Sequence, residues 1–261
     1  MINSYPLGHD LDEMARLETQ SRLLEDELLT DLAKKSHRIL EVGCGVGSNW
    51  PLIRNANYNA NYLGIDFSET AIHEADSRYS GTNAHFKKMD ATLLSLPSES
   101  FDLVFSKLVL WSIGTKWENA VSEAFRVLST GGYFYALEPF NRLITFEPPR
   151  PYTAELIRGW DNEALKKGCD PSVGPKVPKA LKRAGFKDIQ AKAFPVLALA
   201  GDKSNFNAVC DNLRRFLLSD SPGNPASVLE TDLKIKARQE FETIPEDGLV
   251  MDFLFVSWGQ K

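Results

Sequence analysis

Histidine is scarce and confined: His9, His37, His73 and His85 all lie in the first third of the 261 residues. A histidine base or metal cluster assembled from the remainder of the chain is thereby excluded. Cysteine is sparser still, with Cys44, Cys169 and Cys210 far apart and in no C-x-x-C pair. That odd, scattered set points to neither a disulfide framework nor a thiolate zinc site, and no metal is expected. No run of Lys and Arg exceeds two residues and the formal charge is −5, so a footprint for a phosphate backbone is lacking and no nucleic-acid partner is expected. No apolar run approaches about 18 residues, and Met1 to Pro6 lacks a charged region followed by an apolar one, so the expectation is a soluble, cytoplasmic protein without a membrane span. Internal repeats and low-complexity tracts are also missing.

What is present begins with a dense turn. Glu41-Val42-Gly43-Cys44-Gly45-Val46-Gly47 follows a basic, then apolar run and leads into Ser48-Asn49, a helix start. A strand running into glycines and then a helix N-terminus lets a ligand lie directly on main-chain N–H groups, with no Cβ in the way. The dinucleotide fingerprint Gly-x-Gly-x-x-Gly fails here by one residue, because counting from Gly43 its last glycine falls on Ser48.

Periodicity organises the rest. Leu11, Met14, Leu17, Leu23, Leu24, Leu28 and Leu32 have helical spacing, which predicts one or two amphipathic helices over residues 10 to 35. Strands are expected at Tyr62–Asp66, Ala84–Met89, Phe101–Ser106 and Tyr133–Leu137, with helices opened by Ser68-Glu69 and running from Trp117 to Leu128. Further on come a Pro-rich turn at 147 to 151, helices at Thr153–Lys167 and Val177–Ala184, and strands at Phe186–Val196 and Gly248–Trp258. Alternation at this rhythm predicts an α/β fold, a Rossmann-like doubly wound sheet that binds ligands at the carboxyl ends of its strands. The segment of nearly fifty residues before the last strand, with two helical patterns, is long enough to be a lid or binding element.

Several motifs in order resemble the class I S-adenosylmethionine-dependent methyltransferases, in the small-molecule branch of that superfamily. Glu41 to Gly47 looks like motif I, Gly64-Ile65-Asp66 like the second-strand acid, and Met89-Asp90-Ala91 like the third-strand acid with its small neighbour. Phe101 to Ser106 looks like motif IV, and Arg126-Val127-Leu128-Ser129-Thr130-Gly131-Gly132 is similar to the R-V-L-x-P-G-G turn, with Thr130 in place of Pro. The resemblance covers about residues 36 to 140. It implies a seven-stranded sheet, mostly parallel with an antiparallel last strand, plus helical lid elements. It also implies a helical cap at 1–35 and a methyltransferase domain at 36–261, with lid insertions at about 141–175 and 201–247.

The cofactor implied is S-adenosylmethionine, whose product is S-adenosylhomocysteine. Asp66 would take the ribose hydroxyls, Asp90 the adenine amine, the Ala91 N–H a ring nitrogen, and Phe67 would pack on the base. Gly43 and the backbone near Ser106 would hold the methionine end, with Glu41, Gly45, Gly47 and Ser106 in the cofactor-binding set. Tyr5-Pro6-Leu7-Gly8-His9 with Arg16 resembles a leader that folds over the cofactor, so Arg16 either meets the methionine carboxylate or lies on a solvated helix face. Tyr5 and Trp111 are candidates to face substrate, with core packing the alternative for Trp111. If a base exists it is Tyr5, His9 or Glu138, or an acid of the 141–175 segment; for Glu138 a plain turn acid is the alternative, and catalysis by proximity alone needs no base.

Ser106-Lys107-Leu108-Val109 stands where the Asn/Asp-Pro-Pro-Tyr/Phe clamp of nucleic-acid and protein-glutamine enzymes would be. The expected acceptor is therefore a small, partly apolar metabolite, methylated on O, N or C, by an enzyme that is a monomer or a homodimer. Rival readings are a methyltransferase acting on protein or RNA, a nicotinamide-dependent oxidoreductase, and a cofactor-binding module without catalysis.

Overall fold

The computed structural model describes residues 11–220, 223–243 and 248–261. Two helices come first, α1 (Leu11–Leu23) and α2 (Glu27–Lys34), the latter capped by the Asp26 side chain, which accepts from the Leu28 N–H at 3.1 Å. Then β1 (Arg38–Val42), α3 (Trp50–Ala56), β2 (Asn61–Asp66), α4 (Glu69–Tyr79), β3 (Ala84–Lys88) and β4 (Phe101–Lys107) alternate, followed by α5 (Trp117–Val127) and β5 (Leu128–Pro139). The second half adds β6 (Thr145–Glu147), α6 (Pro151–Lys166), α7 (Val177–Ala184), β7 (Lys187–Leu199), α8 (Lys203–Leu218), α9 (Thr231–Glu242) and β8 (Leu249–Gln260). No helix of the described residues is long and apolar enough to cross a membrane.

The strands form one sheet in the order β3-β2-β1-β4-β5-β8, with β7 along the far side of β8. All pairings from β3 to β5 are parallel, whereas β8 runs antiparallel to both β5 and β7. The seven expected strands are thus present, with the antiparallel one last in the chain. An eighth, the three-residue β6, pairs with Leu249–Met251 of β8 and continues the line of β5. It arises inside the 141–175 segment, where Pro148 and Pro149 end it at once.

Burial follows position in the sheet. β1 and β4 are buried nearly throughout, because helices cover both faces of a central parallel strand. At the edge, β3 keeps Lys87 and Lys88 exposed, which discourages further strand addition. Ser68 caps α4 by accepting from the Ala71 N–H at 3.2 Å, as its place before Glu69 predicts. Arg126, in the last turn of α5, does structural work: its guanidinium donates to the Leu94 and Leu96 carbonyls at 2.9 and 2.8 Å and pairs with Glu123.

Candidate active site

The glycine turn is built onto the end of β2. Gly43 and Cys44 donate their N–H groups to the Ile65 carbonyl at 2.8 and 2.9 Å, and the Gly45 N–H donates to Asp66 Oδ2 at 2.9 Å. Asp66 Oδ1 accepts from the Ser68 N–H at 2.8 Å, so one carboxylate ties the turn to the start of α4. Gly43 and Gly45 have φ of +70° and +52°, a region that costs any side chain strain. A Cβ on Gly43 would lie 2.4 Å from the Val109 side chain, whereas one on Gly45 would meet no protein atom within 4 Å and would project into open space. Gly47 differs from both. Its added Cβ would strike the Tyr79 and Phe86 rings at 2.9 and 3.0 Å, so its smallness serves packing between α4 and β3, and it does not line the cavity.

That open space is a cavity of about 880 Å³ along the carboxyl edge of the sheet. Gly43, Gly45, Asp66, Phe67, Asp90 and Ala91 all line it. Phe67 is 54% exposed, an unusual placement for a large apolar ring that no neighbouring helix covers. Asp90 Oδ1 is held by the Thr92 N–H and hydroxyl, both at 2.8 Å. Arg16 reaches the cavity from α1, buried, and donates to Asn212 Oδ1 on α8 at 3.1 Å. Tyr5 and His9 lie outside the described residues.

Glu41 and Ser106 occupy places other than those expected of cofactor contacts. Ser106 is fully buried and its neighbour Lys107 lines the cavity in its stead. Glu41 is buried behind the turn, where it accepts from Asn49 Nδ2 at 2.6 Å and from the Tyr62 hydroxyl. Lys107 Nζ donates to Asn49 Oδ1 at 2.9 Å, so an amide bridges an acid and a cation that do not touch. Burial pushes the Glu41 carboxyl up and the Lys107 ammonium down, each towards its neutral form.

Glu138 also departs from expectation. Its carboxylate is completely buried, does not line the cavity, and accepts from the N–H groups of Val109 and Leu110 at 3.1 and 2.9 Å and of Trp111 at 3.3 Å. Its contact is thus with the turn that carries Val109 and Trp111 into the cavity, not with the cavity itself. Burial raises it and the three N–H donors pull it back, leaving it at about 7. A carboxyl raised from its ordinary 4.5 favours the fold most when protonated, and that contribution fades as pH rises through 7. Urea unfolding at pH 5 and pH 8 should therefore show wild type losing up to roughly 3 kcal/mol relative to Glu138→Gln. A constant difference between the two proteins would refute this.

Trp111 faces the cavity and is itself 5% exposed. Its ring lies 5.7 Å from that of Trp160, which in turn stacks on Phe216 at 4.2 Å. Both indole N–H groups are satisfied elsewhere, on the Leu108 carbonyl at 2.8 Å and on Asn224 Oδ1 at 3.0 Å, so the rings offer the cavity apolar surface. Lys107, Trp160, Phe216 and Asp252 line the cavity as well, beyond the residues expected there. Asp252 carried a signal as the one charge in an apolar strand run, and Lys107 a weaker one as a charge between Phe105-Ser106 and Leu108-Val109-Leu110.

Comparison with known proteins bears on this edge of the sheet. Residues 40–136 match the family described as "Methyltransferase domain". A fatty-acid O-methyltransferase of Mycolicibacterium smegmatis is 27% identical over 193 residues, 68% of this chain and 68% of that protein. A phthiotriol/phenolphthiotriol dimycocerosates methyltransferase of Mycobacterium tuberculosis is 30% identical over 142 residues, so the match spans 49% of this chain and only about half, 52%, of that relative. Among solved structures, the YcgJ protein of Bacillus subtilis superposes with a TM-score of 0.55 over 90% of this chain and 97% of its own at 15% identity, a likeness of fold alone.

Proposed function

We propose that this chain is a class I S-adenosylmethionine-dependent methyltransferase, a reading that its matched domain and its sheet support, and that it moves a methyl group to an O, N or C nucleophile of a small, partly apolar metabolite. The observation that carries the reading is one cavity shared by the Gly43–Gly45 turn, Asp66, Asp90 and Lys107 at one side and the Trp111, Trp160 and Phe216 rings at the other. The relatives named above act, by their names, on fatty acids and on phthiotriol lipids, which agrees with an apolar acceptor. The lid would be α1 with the 141–175 and 201–247 segments, since Arg16, Trp160 and Phe216 reach the cavity from α1, α6 and α8.

The residues fit the cofactor on their own chemistry. Gly45 leaves a space that any Cβ would enter, Asp66 and Asp90 put carboxylates on the cavity wall, and Phe67 is an exposed ring on the same wall. Asp66 would hold the ribose diol, Asp90 and the Ala91 N–H the adenine edge, and Lys107 with Arg16 the amino acid tail. S-adenosylmethionine supplies a methyl on a positively charged sulfur, with a neutral leaving group. What remains for the chain is to align the acceptor, exclude water and keep the pocket apolar, which the aromatic stack and α8 do.

Calorimetry should give micromolar binding of S-adenosylmethionine and none of NADH. Binding of NADH instead would overturn the reading in favour of an oxidoreductase. Gly45→Val should lower S-adenosylmethionine affinity at least a hundredfold by filling cofactor space, while the fold loses only about 1–2 kcal/mol to the positive φ. Tritium transfer into macromolecules of a lysate, rather than into its small-molecule fraction, would reassign the acceptor.

A further inference from the structure

Asp252 sits in the middle of β8 and is the one charged residue in the run Leu249-Val250-Met251-Asp252-Phe253-Leu254-Phe255-Val256. It lines the cavity, beside Val196 of β7, its partner in the ladder, and near Leu254, which pairs with Pro139 of β5. Across from this patch of sheet, α8 contributes Val209, Leu213 and Phe216 to the same cavity. Among the described residues no side chain donates to the Asp252 carboxylate and no cation is paired with it; only the main-chain N–H of the adjacent Phe253 approaches it. Burial pushes the carboxyl up to about 6, so it is still mostly ionised at neutral pH.

The fold gains nothing visible from this arrangement. A half-buried carboxylate set beside Val196 and Leu254 with no side-chain donor is destabilising, and a Leu or Met would suit the strand better. Its remaining lone pairs face a cavity large enough for a ligand. A ligand that brought an N–H or O–H to this point would satisfy them, whereas one ending in a carboxylate would set two like charges side by side.

We propose that Asp252 is a substrate-binding residue that receives the amine or hydroxyl head of an acceptor whose apolar body lies against Trp111, Trp160 and Phe216. This rests on the reading of the cavity as the acceptor site of a methyltransferase, and it narrows that reading to acceptors bearing a hydrogen-bond donor.

Three probes of equal chain length test it: decylamine, 1-decanol and decanoate, each titrated below its aggregation limit into protein saturated with S-adenosylhomocysteine. The amine and the alcohol are expected to bind, with decanoate at least tenfold weaker. Asp252→Asn, nearly isosteric, should weaken decylamine at least tenfold and close the gap to decanoate, leaving S-adenosylhomocysteine affinity unchanged. Wild-type protein that binds decanoate as tightly as decylamine, that binds none of the three, or whose ranking survives Asp252→Asn overturns the proposal. If wild type fails to bind S-adenosylhomocysteine, the proposed function falls instead, and the same ranking in cofactor-free protein still decides the role of Asp252.

Discussion

Asp66→Ala is expected to lower affinity for S-adenosylmethionine, S-adenosylhomocysteine and 5′-methylthioadenosine alike, each by at least a hundredfold. The three share a ribose diol, and Asp66 is the carboxylate of the glycine turn that lines the cavity. Each of its oxygens already accepts one main-chain N–H, from Ser68 at 2.8 Å and from Gly45 at 2.9 Å, and each has a further lone pair to offer. Two charge-assisted bonds to a diol are worth about 1.5–3 kcal/mol each, so their joint loss reaches about two to four orders of magnitude. A second effect adds to it. Without the carboxylate, the Gly45 N–H has no fixed partner and the turn loses its tie to α4. Stability should fall as well, by up to about 3 kcal/mol, because two main-chain bonds to a charged carboxylate are lost while water at this half-buried turn replaces part of each. Asp66→Asn keeps one accepting oxygen and turns an NH₂ towards one of the two N–H donors, so it should fall between. Unchanged affinity in Asp66→Ala, measured by calorimetry on cooperatively folded protein, would remove the basis for the cofactor assignment.

The sequence disclosed Asp66 and Asp90 readily because each stands at the carboxyl end of a strand where the turn chemistry is strong. It was less informative one step further in. On β4 the residue expected at the cavity was Ser106, and the residue that lines it is Lys107; on β5 it was Glu138, and the residue that lines it is Pro139. Both displacements are by one position. Side chains on a strand alternate between faces, so a single residue of register exchanges core for cavity, and no composition or spacing records which of two neighbours wins. Glu41 illustrates a related limit: an acid beside a glycine turn reads as a ligand contact, but Asn49 and Tyr62 take its oxygens from behind. The three-residue β6 was illegible for a simpler reason, since so short a strand carries no periodicity to detect. The charge of Asp252 inside an apolar strand run was the clearest unused signal. In a strand such a residue needs a partner, and where no cation of the described residues pairs with it a ligand is the remaining source.

Lys107→Met is expected to separate the two halves of the cofactor, weakening S-adenosylmethionine and S-adenosylhomocysteine about 10- to 100-fold while leaving 5′-methylthioadenosine within about threefold of wild type. The reasoning starts from what the ammonium lacks. Its two acceptors among the described residues, Asn49 Oδ1 at 2.9 Å and the Ser21 carbonyl at 3.4 Å, are both neutral, and the nearest acid in that network, Glu41, is reached only through Asn49. Register places Ser106 opposite Val42, so Lys107 stands beside Gly43, where β1 and β4 open onto the cavity. A desolvated cation at that point is matched by a carboxylate, which the amino acid tail carries and 5′-methylthioadenosine does not. Methionine keeps the length of the side chain and removes the cost of burying charge, so the melting temperature should hold or rise. Asn49 Oδ1 retains the Ser21 hydroxyl at 2.7 Å, which limits disturbance of the turn. Equal losses for all three ligands would mean that Lys107 supports the turn rather than the tail. No loss for any of them would transfer the tail to Arg16, the other buried cation on the cavity wall, and Arg16→Met would then show the split that Lys107→Met did not.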